Sequence, residues 1–187
     1  MENLLKTFRD VGSLSPENEK LLLSTIERVE YPAKTVLLEE GKVCNKLYFV
    51  EKGLTRIYLY RGGKDVTCWI GPENEFVGAI GSFFTRDPSN KWIETLEPCI
   101  LWEFEYTKLE KLFSTSRELE KIGRLFSNQG ILLLDKRLDN IHFNTAAERY
   151  EIFIKSHPDI LQRVPLSMIA SYLGMSQETL SRIRAEK

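Results

Sequence analysis

Apolar residues near the carboxy terminus recur with a helical period, stop at one glycine and then resume. Between Leu166 and Arg184, Ile169 and Leu173 lie four apart and Leu180 and Ile183 three apart, with polar residues between them. Such spacings place side chains on one face of a helix, so the segment reads as two short amphipathic helices sharing a core. Ala170 lets them cross closely. Gly174 stands where the first helix must end in a left-handed conformation, which a residue with a Cβ adopts only at a cost. Met175 follows as a corner plug, Ser176 is placed to cap the second helix, and Glu178 in the first turn suits the positive end of the dipole. A plain αα-hairpin packed on another part of the chain would satisfy the same apolar pattern. The polar remainder points further: Gln177, Glu178, Ser181, Arg182 and Arg184 form a set able to read base edges, whereas a merely solvated face favours Lys and Glu. Glu178 and Arg182, four apart, can also pair with each other for a few tenths of a kcal/mol.

Earlier in the chain the period differs. Ser15-Pro16-Glu17-Asn18 opens a helix with a cap and a proline in its first turn, and Leu21, Leu22 and Ile26 supply the buried face. From about Val29 the chain changes to short β-rich runs: Val36 to Leu38, Leu47 to Val50, Leu54 to Tyr60, Val66 to Ile70 and Ile100 to Phe104. Turn signals at Glu40-Gly41, Lys52-Gly53, Arg61-Gly62-Gly63-Lys64 and Gly71-Pro72 separate most of them, which predicts an antiparallel meander or roll. After Phe104 the helical period returns. Leu119, Ile122, Phe126, Gln129 and Leu133 recur at three, four, three and four, the seam of a coiled coil. This predicts a homodimer helix, with Gly123 and Gly130 letting a partner backbone approach and Gln129 setting register. A stripe packed only on its own β-roll has the same period. Asn144 or Thr145 caps a further helix reaching Ser156, with Tyr150, Phe153 and Ile154 as its core, and His157-Pro158 ends it.

The predicted class is therefore α+β: an antiparallel β-roll with flanking helices over residues 1–115, a dimerisation helix and linker over 116–140, and a small all-helical helix-turn-helix domain over 141–187. Charge adds to this picture through its placement. The net charge of the 187 residues is −1, but residues 162–187 carry four basic against two acidic side chains, leaving the rest at −3. The positive field falls where phosphate attraction would be needed. Cys44, Cys68 and Cys99 are isolated, with no Cys-x-x-Cys pair, and suit reduced thiols packed in a core. No cofactor is expected, since three scattered cysteines give no iron–sulfur cradle. The amino terminus lacks a secretory h-region, and the longest aliphatic run, Ile131 to Leu134, is too short to span a bilayer; the expected location is the cytoplasm, with no membrane partner.

The order roll, long helix, helix-turn-helix resembles the Crp/Fnr family of bacterial transcription regulators. The likeness rests on Gly41, on Gly53 in Val50-Glu51-Lys52-Gly53, on the cassette Glu75-Phe76-Val77-Gly78-Ala79-Ile80-Gly81, and on the terminal Met-Ser-Gln-Glu-Thr-Leu-Ser-Arg-Ile. It implies a cyclic-nucleotide-binding-like jelly roll, a homodimer and double-stranded DNA as partner. By motif position Gln177, Glu178 and Arg182 fall on the base-reading residues, while Ser176 and Thr179 are placed for phosphate. It also implies an effector site at Gly78, Ala79, Ile80, Gly81, Ser89 and Asn90. Members that bind cyclic AMP carry Glu where this chain has Ala79 and an Arg-Ser pair where it has Ser89-Asn90, although Arg86 and Lys91 lie nearby. A cyclic phosphate buried without a guanidinium is poorly compensated, so cyclic AMP is not the expected effector. The glycines either offer amides to another anion or only shape the turn. Relatives usually continue into a β-hairpin wing, whereas the sequence stops at Lys187, a short form for which weaker DNA affinity is expected. Activation would need a surface for RNA polymerase, which the sequence does not locate.

Two other classes fit parts of the pattern. A cupin-like enzyme also uses a small β-barrel, but His142 and His157 are the only histidines and both lie beyond the roll, so no His-rich metal centre can form inside it. Nucleophile-elbow and phosphate-loop motifs are missing as well, and no enzyme is expected. Alternatively, the roll senses a ligand and the terminal helices dock a protein partner.

Overall fold

The structure is a computed structural model that describes residues 1–186. Two helices lead: α1 (Glu2–Val11), whose Leu4, Leu5 and Phe8 are buried, and α2 (Pro16–Thr25), whose first turn is capped by the Ser15 hydroxyl. The roll follows as β1 (Glu27–Tyr31), β2 (Val36–Leu38), β3 (Lys46–Lys52), β4 (Thr55–Arg61), β5 (Lys64–Gly71), β6 (Phe76–Val77), the short helix α3 (Ile80–Thr85), β7 (Trp92–Thr95) and β8 (Cys99–Glu105). These strands form two four-stranded antiparallel sheets, ordered β1-β8-β3-β6 and β2-β7-β4-β5. Phe49, Val50, Ile93 and Leu101 are fully buried in them. β6 and β7 are too short to show a strand period in the sequence, and β1 is largely polar, with only Val29 and Tyr31 at alternate, half-buried positions.

Helices complete the chain: α4 (Tyr106–Thr115), α5 (Arg117–Phe143), α6 (Ala146–Ser156), α7 (Ile160–Arg163), α8 (Leu166–Tyr172) and α9 (Gln177–Ala185). The capping box on α6 uses Thr145, whose hydroxyl accepts from the Glu148 amide while the Glu148 carboxylate receives the Thr145 amide.

The expected dimer seam needs correction in its first half. Leu119 and Ile122 are 1% exposed and lie in a core with Leu4, Phe8, Leu22, Phe49 and Leu112 of the same chain. Phe126 packs edge-on against the rings of Phe8 and Phe76. A Cβ on Gly123 would fall 2.5 Å from the Phe113 ring, so this glycine admits α4 and not a partner. A seam period reports one apolar face without saying what covers it, and here α1, α2 and α4 cover it. Gln129 and Leu133, in the second half, stay exposed. There Ile131, Leu134, Leu138 and Ile141 are 64%, 54%, 54% and 46% exposed, at spacings of three, four and three.

Candidate nucleic-acid interface

The two terminal helices form as their local signals demand. Ile169, Leu173, Leu180 and Ile183 are buried with Tyr150, Phe153, Ile160 and Val164. α8 ends in a Schellman motif: the Met175 amide donates to the Ala170 carbonyl at 3.0 Å and the Gly174 amide to the Ser171 carbonyl at 3.1 Å, with Gly174 left-handed at φ +68°. Two guanidinium groups finish this end. Arg137 of α5 donates to the Tyr172 carbonyl at 3.1 Å, and Arg149 of α6 donates to the Leu173 carbonyl at 2.9 Å. The Ser176 hydroxyl caps α9 by accepting from the Thr179 amide at 3.2 Å.

With Leu180 and Ile183 turned inward, Ser176, Gln177, Glu178, Ser181, Arg182 and Arg184 are all exposed, and Thr179 is half-buried. The predicted ridge is thus assembled on one helix and open to solvent. Hydrogen bonds from its own backbone amide and from Ser176 hold the Glu178 carboxyl below the usual range, and the Lys64 ammonium adds to the effect.

α8 lies along β5, the edge strand of its sheet. The Thr67 amide, facing out of that edge, donates to the Ser171 hydroxyl at 2.9 Å. Leu54 and Ile70 of the roll join the helical core, and Trp69 meets Tyr172 edge-on. Arg163 at the end of α7 reaches two carboxylates on different turns of the roll: Glu73, at 2.8 and 3.0 Å, and Glu97, at 2.5 and 3.3 Å. Glu73 also receives the Gly53 amide at 2.8 Å. Partial burial works against the Glu73 charge, yet the bonds from Arg163 and the backbone outweigh it and hold the carboxyl below its ordinary value. Sequence reasoning missed this contact because its partners lie 66 and 90 residues apart, with no local signal to join them.

The effector site is less complete. Gly78 abuts Leu47, Ala79 is 3% exposed, and Ile80 and Gly81 face solvent. The Ser89 hydroxyl is engaged with both the amide and the carbonyl of Lys91, and Asn90 is exposed. Arg86 is committed too: it donates to the Cys44 and Phe83 carbonyls and to Asn45, and stacks 4.0 Å above the Tyr106 ring. Arg86 and Ser89 are thus both engaged by the chain's own backbone. One cleft of about 430 Å³ lies between Tyr31, Leu37, Lys42, Asn45 and Tyr48, and another of about 460 Å³ lies between α5, α6 and Tyr172; the six predicted ligand residues line neither. Among the described residues no cluster of three or more His, Cys, Asp or Glu is arranged to hold a metal, and no helix is long and apolar enough to cross a membrane.

Comparison with known proteins agrees with this architecture. Residues 28–116 match the cyclic nucleotide-binding domain. The cAMP-activated global transcriptional regulator CRP of Pasteurella multocida is 26% identical over 168 residues, spanning 82% of this chain and 79% of that protein. The CRP-like protein Clp of Xanthomonas campestris is 27% identical over 178 residues, spanning 86% and 77%. Among solved structures, the c-di-GMP responsive regulator CLP of Xanthomonas campestris superposes with a TM-score of 0.65 at 23% identity, covering 92% of this chain and 91% of that one. FixK2 of Bradyrhizobium japonicum gives 0.71 at 16% identity, covering 86% and 83%. With the β-roll, the long α5 helix and the exposed polar ridge of α9 in one chain, the protein carries a cyclic nucleotide-binding domain and is similar along most of its length to CRP-type transcription regulators.

Proposed function

We propose that the protein is a dimeric transcription regulator that reads the DNA major groove with α9 and whose β-roll senses a small effector other than cyclic AMP. The observation that carries the DNA reading is the solvent-open ridge of Gln177, Glu178, Ser181, Arg182 and Arg184 on a helix whose apolar stripe is fully used in its own core. A Gln suits adenine, a Glu accepts from cytosine, and an Arg grips guanine through two donors. The exposed row Ile131, Leu134, Leu138 and Ile141 supports dimerisation, because a two-fold partner on it would carry a second α9 toward the next half-site, about 34 Å away. The cassette, with Ala79 buried and Arg86 spent on carbonyls, supports an effector other than cyclic AMP.

Selection from a random duplex library tests the reading. The wild-type chain should enrich a two-fold-related site, and its affinity should fall steeply between low and moderate salt. Arg182→Ala should relax preference at one base pair per half-site, at a cost of about 1–3 kcal/mol, and leave the others unchanged. Enrichment of the same site at the same strength by the variant would exclude base reading by Arg182.

A further inference from the structure

The hairpin joining β4 to β5 carries a feature that the fold does not explain. Its loop is Gly62-Gly63, both at positive φ, +56° and +76°, which makes a two-residue turn of the type that follows strand twist. Arg61 and Lys64 are the residues paired directly across from each other at its base. Like charges placed opposite one another in an antiparallel pair repel and weaken the hairpin. Neither side chain has an ion-pair partner within 4 Å among the described residues, and both are exposed. The neighbouring Asp65 offers no relief, since it is paired with the buried Arg56. The tip thus presents two cations without an ion-pair contact, on a turn with no side chains of its own.

Its position gives the cations a use. Thr67, three residues along β5 from Lys64, is bonded to Ser171, and Ser171 lies five residues before Ser176, the cap of α9. At about 3.3 Å per residue, the tip extends roughly 10 Å beyond this anchor. Lys64 there comes close enough to Glu178 to act on its charge. The hairpin therefore flanks the amino-terminal end of α9, the end that enters the groove, where the nearest partner surface is the phosphate backbone bordering that groove. The slim Gly-Gly tip lets the backbone approach without steric hindrance: a Cβ at either glycine would meet nothing within 4 Å.

We propose that the β4–β5 hairpin is a second DNA-contacting element, in which Arg61 and Lys64 grip the phosphate backbone beside the recognition helix. This rests on the DNA-reading role given to α9 above. Phosphate contacts contribute affinity and salt dependence but no sequence information, so the hairpin and Arg182 have separable signatures.

The test compares wild-type, Arg61→Ala/Lys64→Ala and Arg61→Lys chains on a mixed-sequence duplex of about 40 base pairs, with binding followed by fluorescence anisotropy across a salt series. Loss of two phosphate contacts should lower the slope of log affinity against log salt by about 1.8, while the site enriched from a random library stays the same. The Arg61→Lys chain should keep the wild-type slope. An unchanged slope in the double variant would overturn the proposal, and tighter binding would overturn it too, by showing that the hairpin obstructs the groove. A wild-type chain that binds no duplex at any salt would sink the function reading itself and this proposal with it. A normal slope change with no enriched site would sink only the base reading.

Discussion

At the scale of single residues, two glycines at turns make different demands. Gly174 is left-handed at φ +68° with open space where a Cβ would sit, so Gly174→Ala adds only conformational strain, about 1–2 kcal/mol. Gly53, at φ +97°, would set a Cβ 2.7 Å from both the Cys99 sulfur and the Pro98 carbonyl oxygen. Gly53→Ala therefore adds a clash with backbone and a buried thiol to the same strain, and should lower the urea midpoint by clearly more than Gly174→Ala. Equal losses at an unchanged m-value would show that the β3–β4 turn relaxes around the methyl group. Both glycines could be identified as turn residues from sequence. Only the fold reveals which of them has a neighbour at its back. Ser176 shows the opposite case: a cap acts within three residues, so its role is legible from the chain alone, and the hydroxyl does accept the Thr179 amide.

Among the elements, α5 makes the limit of periodicity plain. At 1.5 Å per residue its 27 residues extend about 40 Å, well past the four-helix layer that buries its first half. Two apolar rows on different faces of the helix thus have different surroundings: Leu119 and Ile122 face the helices of their own chain, while Ile131, Leu134, Leu138 and Ile141, about 120° further round the axis, face solvent. The expectation for substitutions divides at the same point. Ile122→Glu would bury a carboxylate among Leu4, Phe8 and Leu119 and should prevent folding, seen as loss of the cooperative thermal transition. Ile131→Glu with Leu138→Glu should leave the circular dichroism spectrum unchanged and halve the mass observed by native mass spectrometry. A dimer that survives both exposed-row changes would place the two-fold contact elsewhere. By contrast, the helix-turn-helix was legible in full, because spacing, cap and αL glycine all act within about twenty residues.

For the whole molecule, the decisive contact joins the helical unit that carries α9 to the roll, and it is held by Arg163 between Glu73 and Glu97 together with the Thr67–Ser171 bond. All three charged side chains are about a quarter to a third exposed, so the pairing is screened less than a surface pair and depends on charge. Glu73 is held below its ordinary range, and its stabilising contribution is consequently present above the pKa it has when unpaired and is lost as pH falls through the lowered folded value. The protection of β5 amides relative to their intrinsic exchange rate at each pH should therefore be high at neutral pH and fall on acidification, while β3 and β8 stay protected. Arg163→Gln should raise β5 exchange already at neutral pH, because it leaves two carboxylates facing each other at a cost of about 2 kcal/mol. The same contact fixes the hairpin beside α9, so the two sites are energetically linked. If the hairpin reaches DNA only in the docked arrangement, Arg163→Gln alone should lower the salt slope of duplex binding as far as Arg61→Ala/Lys64→Ala does. Combining all three changes should then lower it no further. Additive losses would mean that Arg163 and the hairpin act on DNA binding independently, and the roll would then be a passive neighbour of the recognition helix and not part of the reading head.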